Sequence, residues 1–514
     1  MIEAPTLWRL VEARAAASPD ALFAIDEAGR HLTFEGLRSD AERVAAGLHT
    51  QGVREDDVVS WLLPTRLSAF VLMVALARLG AVQNPLVPIY RRREIEFCLD
   101  QTGARWLLVP STHRDFDFGA LARDLTRERP ELRTLDVGST LPDADPGSLP
   151  LATDRGDRFR WIFYTSGTTS DPKGARHTDE SILISSRGLA SALGIGPGAR
   201  TGVVFPVTHL GGANALTSTL FAGSTQLVVE QFDPTSTIPF LAKHGVTHAG
   251  AGAVFYRAYV EAQRAAGAEP IFPDLVALYG GGAPTPRALH DAAREELGGL
   301  GILSTYGMTE CPVITMVRHD DPLEKRVSTE GRPTHPETRI RIAAPDGREV
   351  LAETTGAVRV KAPQLLKGFM DEKLDREAFD DEGWFDTGDL GHLDADGFLV
   401  ISGRRKDVII RKGENISAPE VEALLSDHPA IAEVAVIGLP DAERGERACA
   451  VVRLADATRA LTFAEMVAHL EAQGLMRQKI PEQLEMLDAL PRNPSGKVVK
   501  ARLVERFADS PPSA

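Results

Sequence analysis

Between Leu32 and about Val203 the apolar positions switch repeatedly between two spacings. Stretches such as Glu35–Leu48 and Ser68–Leu79 carry them at helical intervals, and short β-branched or aromatic runs such as Arg105–Val109 and Trp161–Tyr164 lie between. Alternation of that kind predicts βαβ units, hence twisted, mainly parallel sheets covered by helices. The same texture continues through Gln226–Val229, Val246–Ala249 and Leu275–Tyr279. From about Arg339 to Ile401 the runs shorten and turn signals crowd in, among them Pro345-Asp346-Gly347 and Asp394-Ala395-Asp396-Gly397. That stretch predicts antiparallel hairpins and a small β-barrel-like subdomain. After Gly403 the pattern changes again. Val408–Ile410, Glu433–Ile437 and Ala450–Leu454 predict strands, Phe463–Gln473 a helix, and Ser417-Ala-Pro-Glu420 a capping box ahead of another helix. The fold class expected is α/β. A large N-terminal domain spans residues 1–402 and a small α+β domain residues 403–514.

The most apolar stretch, Phe70 to Ile89, is interrupted by Arg78, Asn84, Pro85 and Pro88. It predicts a buried helix running into a strand, and no membrane-spanning segment. Over 514 residues, 57 Lys+Arg against 72 Asp+Glu leave a net charge of −15, which argues against a nucleic-acid partner. The N-terminus has neither the basic nor the apolar region of a secretory signal, and Cys98, Cys311 and Cys449 are few and far apart. A cytoplasmic protein without disulfides or a metal-ligand cluster is expected.

Candidate chemistry begins at Tyr164-Thr-Ser-Gly-Thr-Thr-Ser-Asp-Pro-Lys-Gly174. The hydroxyls of Thr165, Ser166, Thr168 and Thr169 surround Gly167, and Lys173 follows, after an apolar strand. Such a loop can offer amides, hydroxyls and a cation to phosphate oxygens; a plain Ser/Thr/Gly surface loop is the alternative. It is not a Walker A loop, because Pro172 stands where that spacing needs glycine. Five further segments follow in order: Gly280-Gly-Gly-Ala-Pro284, Ser304-Thr-Tyr-Gly-Met-Thr-Glu310, Trp384-Phe-Asp-Thr-Gly-Asp389, Gly403-Arg-Arg-Lys-Asp407 and Pro491-Arg-Asn-Pro-Ser-Gly-Lys497.

Together these segments resemble the adenylate-forming superfamily, which includes acyl-CoA synthetases, luciferases and peptide-synthetase adenylation domains. The likeness runs from about Leu32 to Arg502, with Ser170 departing from the family's usual glycine. It implies that the 165–173 loop holds the β- and γ-phosphates of ATP. Thr309 would then donate to the α-phosphate and Glu310 would ligate Mg2+, an ion suited to one carboxylate plus phosphates. Gly281, Gly282, Ala283, Pro284 and Tyr306 would border adenine, and Asp389 and Arg404 the ribose and phosphate. Lys497 would bridge the acyl carboxylate and the α-phosphate. Residues 404–407 would form a hinge pivoting at Lys406, and after rotation Gly413 would line the path of the CoA pantetheine arm. The acyl pocket would lie among Gly211, Gly212, Gly250, Gly252, Tyr279 and Gly280, with His209 at its gate.

The activity so implied is an acyl-CoA synthetase that consumes ATP, a carboxylic acid and CoA. Pocket segments rich in glycine and alanine, with no acid in Leu210–Leu216, favour an uncharged acyl group: medium- or long-chain, alicyclic or steroid-derived. Alternatives are transfer to a carrier protein, or a nucleotide-binding homologue without catalysis; a homodimer is admitted. Other patterns carry less. Gly194-Ile-Gly-Pro-Gly follows a helix rather than a strand, and His244 and His248 lack a third ligand. No Gly-x-Ser-x-Gly elbow occurs, and Arg91-Arg92-Arg93 predicts the start of a solvated helix.

Overall fold

The computed structural model describes residues 2–514 except 166–171, 283–284, 412–413, 442–444, 457–460, 494–495, 509, 512 and 514. Two large sheets dominate the N-terminal part. The first has nine strands among the described residues, in the order Arg332–Pro333, Thr315–Met316, Ile302–Tyr306, Ala277–Gly281, His248–Ala249, Arg200–Val203, Thr225–Val228, Leu22–Asp26 and His31–Thr33. Its centre is parallel and its edges antiparallel. The second has six strands and is parallel except for the edge hairpin that pairs Phe159–Thr165 with Lys173–Thr178.

One apolar core joins the two sheets. It takes Phe23, Val203 and Val228 from the first, Trp61, Trp161 and Phe163 from the second, and fills the space between with helices. The helix Leu67–Leu79 is at the centre, buried at nine of its positions and stopped by Gly80 in the left-handed conformation. At about 1.5–3 kcal/mol for each large apolar side chain removed from water, this helix is a major source of cohesion. It runs into the strand Val82–Pro85, as the interrupted apolar stretch predicts. No helix among the described residues is long and apolar enough to cross a membrane.

The expected hairpins form a four-stranded antiparallel sheet: Arg339–Ala343, Gly356–Lys361, Phe385–Leu393 and Leu399–Arg404. Beyond it, Val408–Arg411, Glu414–Ser417, Ile431–Asp441, Gly445–Leu454 and Gln483–Met486 make a separate five-stranded sheet with its own core. Ser417 caps the helix Ala418–Ser426 by accepting from the Glu420 N–H at 3.4 Å. The reciprocal half of the expected capping box is missing, because the Glu420 carboxylate pairs with Lys479 instead. The Ser417 hydroxyl donates to the Ser402 carbonyl at 2.7 Å and so ties this unit to the preceding strand. Cys98, Cys311 and Cys449 are all buried free thiols.

The nine-stranded sheet meets the four-stranded sheet at Glu330. Its N–H donates to Leu399 O at 2.7 Å, and its carbonyl accepts from the Thr315 hydroxyl at 2.6 Å. Burial pushes the Glu330 carboxyl up to about 7. A folded value above the unfolded one favours folding below pH ~4.5, and that contribution is lost as pH rises through about 7. Glu330→Gln should therefore match the wild type in thermal midpoint at pH 5 and exceed it by about 2 °C or more at pH 8. A gap that stays constant across that range would contradict the burial of this carboxyl.

Candidate active site

The site is built where the edge hairpin of the second sheet, the ends of two central strands of the first, and the four-stranded sheet converge. Thr165 and Lys173 are cross-strand partners at the end of the hairpin where its connecting loop begins and ends. His177 lies four residues beyond Lys173, so both side chains project from the same strand face. The His177 Nε2 is 2.7 Å from the Thr309 carbonyl, and its Nδ1 is 3.1 Å from the Ser181 hydroxyl. A carbonyl only accepts, so Nε2 carries the proton and donates. Burial lowers this imidazole to about 4, which keeps it neutral near pH 7.

The segment 366–370 completes the connection between the hairpin and the Thr309-Glu310 turn. The Leu366 N–H donates to Glu310 O and the Met370 N–H to Gly174 O, both at 2.8 Å. Burial pushes the Glu310 carboxyl above its ordinary range; Lys173 and Arg404 act against that, and Asp389 adds like charge. Among the described residues no cluster of three or more His, Cys, Asp or Glu could enclose a metal ion. The single carboxylate of Glu310 is a donor that suits a hard cation taking its other oxygens from phosphates.

Asp389 and Arg404 face each other across the four-stranded sheet. Arg404 Nε is 3.0 Å from Asp389 Oδ1, and the Tyr306 hydroxyl donates to Asp389 Oδ2 at 2.7 Å. Each carboxylate oxygen keeps a second lone pair for an incoming hydroxyl. Burial raises the Tyr306 phenol well above its ordinary value, so the ring remains a neutral flat face.

The residues expected to line an acyl pocket also lie near one another. A Cβ on Gly281 would sit 2.0 Å from Thr305 O, so only glycine lets these two strands approach as closely as they do. Gly280 presses on Ala251 and on the Tyr256 hydroxyl, Gly250 lies against Tyr279, and Gly252 faces Gly281. Gly211 and Gly212 sit in the first turn of the helix Leu210–Ala222, against Phe205 and the Val207 carbonyl, and Gly282 has open space beside it. His209 precedes that helix without a capping side-chain hydrogen bond; burial lowers its ring to about 4, and its Nε2 has no protein partner.

From the C-terminal unit, the Lys497 N–H donates to Asn493 Oδ1 at 2.9 Å and closes a turn. A Cβ on Gly496 would lie 3.8 Å from Val254 Cγ2, one residue into the helix Ala253–Ala266 that follows Gly252. The Lys497 turn therefore rests against the start of that helix. Ser166, Gly167, Thr168, Thr169, Ala283, Pro284, Gly413 and the side chain of Lys406 lie outside the described residues. His177 escaped the sequence reading; its place two pleats beyond Lys173 was the signal available.

Glu310 under the influence of Lys173 and Arg404, the Tyr306–Asp389 clasp and the glycine-lined wall together make up the candidate site. Residues 11–370 match the AMP-binding enzyme family and residues 420–497 the AMP-binding enzyme C-terminal domain; the chain belongs to this family of adenylate-forming enzymes. It is 30% identical to the medium-chain fatty-acid–CoA ligase of Escherichia coli, over 95% of this chain and 88% of that protein. It is 32% identical to the long-chain-fatty-acid–CoA ligase FadD13 of Mycobacterium tuberculosis, over 94% of each. The fold is similar to that of O-succinylbenzoate coenzyme A synthetase (MenE) from Bacillus subtilis, solved with ATP and magnesium ion. That match has a TM-score of 0.83 and 28% identity over 96% of this chain and 99% of the other.

His177→Phe should leave the Thr309 carbonyl without its buried donor, at a cost of about 1–3 kcal/mol. Acid-dependent pyrophosphate release should slow by about tenfold. An unchanged rate in a folded variant would show that this bond does not position Thr309.

Proposed function

We propose that the chain is an AMP-forming acid–CoA ligase working in two half-reactions at this cleft. In the first, a carboxylate oxygen attacks the α-phosphorus of ATP, forms a new O–P bond and expels pyrophosphate. In the second, the CoA thiol loses its proton and attacks the acyl carbonyl, and AMP leaves with the electron pair of the broken C–O bond. The observation that carries this reading is the Lys497 turn lying against the start of the helix Ala253–Ala266, directly after the glycine-rich segment 250–252.

The first step brings two anions together, so positive charge must be fixed in place before they meet. Lys173 and its loop hold the outer phosphates, Thr309 donates to the α-phosphate, and Lys497 spans carboxylate and phosphate. Mg2+, held by Glu310 together with phosphate oxygens, supplies further charge neutralisation when bound. Asp389 accepts from the ribose hydroxyls and Tyr306 stacks on adenine. His209, kept neutral by burial, stands at the acyl entrance without adding charge to it. The second step needs the C-terminal unit, residues 403–514, to turn about the 404–407 junction. That motion withdraws Lys497 and brings Gly413 to the pantetheine path.

The walls around Gly250, Gly252, Tyr279 and Gly280 are uncharged and closely packed, in keeping with an apolar acyl group. Medium- or long-chain, alicyclic and steroid-derived acids are the substrate classes proposed. Incubation with ATP, Mg2+, CoA and a panel of such acids should yield CoA esters detectable by mass spectrometry. Absence of any CoA ester across the panel would overturn CoA as acceptor.

Lys497→Ala should abolish acid-dependent pyrophosphate release and leave thioester formation from supplied acyl-adenylate within about threefold of wild type. Equal loss of both steps would contradict a division of labour between two arrangements.

A further inference from the structure

Where the C-terminal unit meets the helix Ala253–Ala266, one carboxylate stands among three arginines. Glu433, on the strand Ile431–Asp441, accepts from Arg492 at 2.5 Å and from Arg453 at 3.0 Å. The other arm of the Arg492 guanidinium donates to the Gly496 carbonyl, the residue before Lys497. Arg492 also forms a β-bridge with Val498, so the Lys497 turn is closed from both sides by the residue Glu433 grips. The third arginine, Arg257, belongs to the large domain and sits one turn along the helix from Val254, against which Gly496 rests. Burial lowers the Arg257 guanidinium from its ordinary range; the charge of Glu433, and more weakly that of Glu261 on its own helix, acts against this, while Arg492 and Arg453 add like charge.

This arrangement is unequal in charge. With Glu433 ionised, the half-buried Arg257 docks against a group that holds a compensating anion. With that anion neutralised, Arg257 keeps only Glu261 of its own helix against the like charge of Arg492 and Arg453 across the domain boundary. A rotation of the small domain would leave the pairs of Glu433 with Arg492 and Arg453 intact, since all three residues move together. Only the approach to Arg257 is particular to the arrangement seen here.

We propose that Glu433 is a positioning residue for acid activation: through Arg492 it holds the Lys497 turn, and through Arg257 it docks the C-terminal unit in the arrangement that presents this turn to the cleft. The inference rests on the reading of Lys497 given above and deepens it. Glu433 touches no substrate atom. Its effect falls on the population of the docked arrangement and on the aim of the lysine, and the thioester step, which uses the other arrangement, does not require it.

The test measures both half-reactions separately in the full-length protein, with folding followed by thermal midpoint. Glu433→Gln keeps the shape and removes the charge; acid-dependent pyrophosphate release should fall about tenfold while thioester formation from supplied acyl-adenylate stays within about twofold. Arg257→Ala alone should lower pyrophosphate release modestly, because an attraction is lost. On the Glu433→Gln background the same change should raise it about threefold, because a repulsion is relieved. That reversal of sign is something a merely structural role would not produce. Equal loss in both half-reactions, or an Arg257→Ala effect of the same sign in both backgrounds, would overturn the inference. Lys497→Ala separates the two readings. Loss of pyrophosphate release in Lys497→Ala with an unchanged rate in Glu433→Gln overturns the inference without touching the assignment of Lys497. Should Glu433→Gln fail to fold, Arg492→Lys keeps the charge but cannot span Glu433 and the Gly496 carbonyl together. It should show the same selective slowing of the first step, and equal slowing of both steps would overturn the inference.

Discussion

A carboxylate and a nucleoside triphosphate repel each other, and on the proposed reading the site is organised around holding positive charge where that repulsion is greatest. The protein does this with few cations on separate supports. Lys173 sits on an edge strand of one sheet, Arg404 on a strand of another, and Lys497 on a turn of the C-terminal unit. Neighbouring groups hold these parts in place: Asp389 pairs with Arg404, His177 holds the Thr309 turn, and Arg492 holds the Lys497 turn. Charge so placed costs no reorganisation when the reactants meet.

The fold serves this need by making one side rigid and the other separable. Two sheets share a single apolar core with the Leu67–Leu79 helix between them, so Lys173 and the strand ends at Gly281 and Tyr306 keep a fixed relation. The five-stranded unit has a core of its own and is tied to the preceding sheet by contacts such as that of Ser417 with Ser402. A unit with an independent core can change its position without unfolding. That property is what the proposed two-step chemistry asks of residues 403–514.

Much of this was legible in the sequence because it is local. The alternation of helix and strand periods, the buried 67–79 helix and the contiguous segments around Lys173, Glu310, Asp389 and Lys497 all lie within short windows. What escaped depends on partners brought together by folding. His177 meets Thr309 across 132 residues of chain, and Glu433 meets Arg492 across 59. Neither pair has a spacing that periodicity can detect. The capping box failed for a similar reason: Ser417-x-x-Glu420 has the right letters, but Lys479, distant in sequence, competes for the glutamate. Strand ends shifted by a residue or two where pairing, rather than composition, decides them, as at Ala277–Gly281.

The central claim is that one cleft is served by two placements of the C-terminal unit. Pulsed electron paramagnetic resonance between spin labels at the exposed positions Ala265→Cys and Glu505→Cys tests it directly, since the native cysteines are buried. With ATP and Mg2+ the account predicts one dominant distance. With a non-hydrolysable acyl-adenylate mimic and CoA it predicts a second, clearly separated distance. A single distribution unchanged between the two conditions would contradict it.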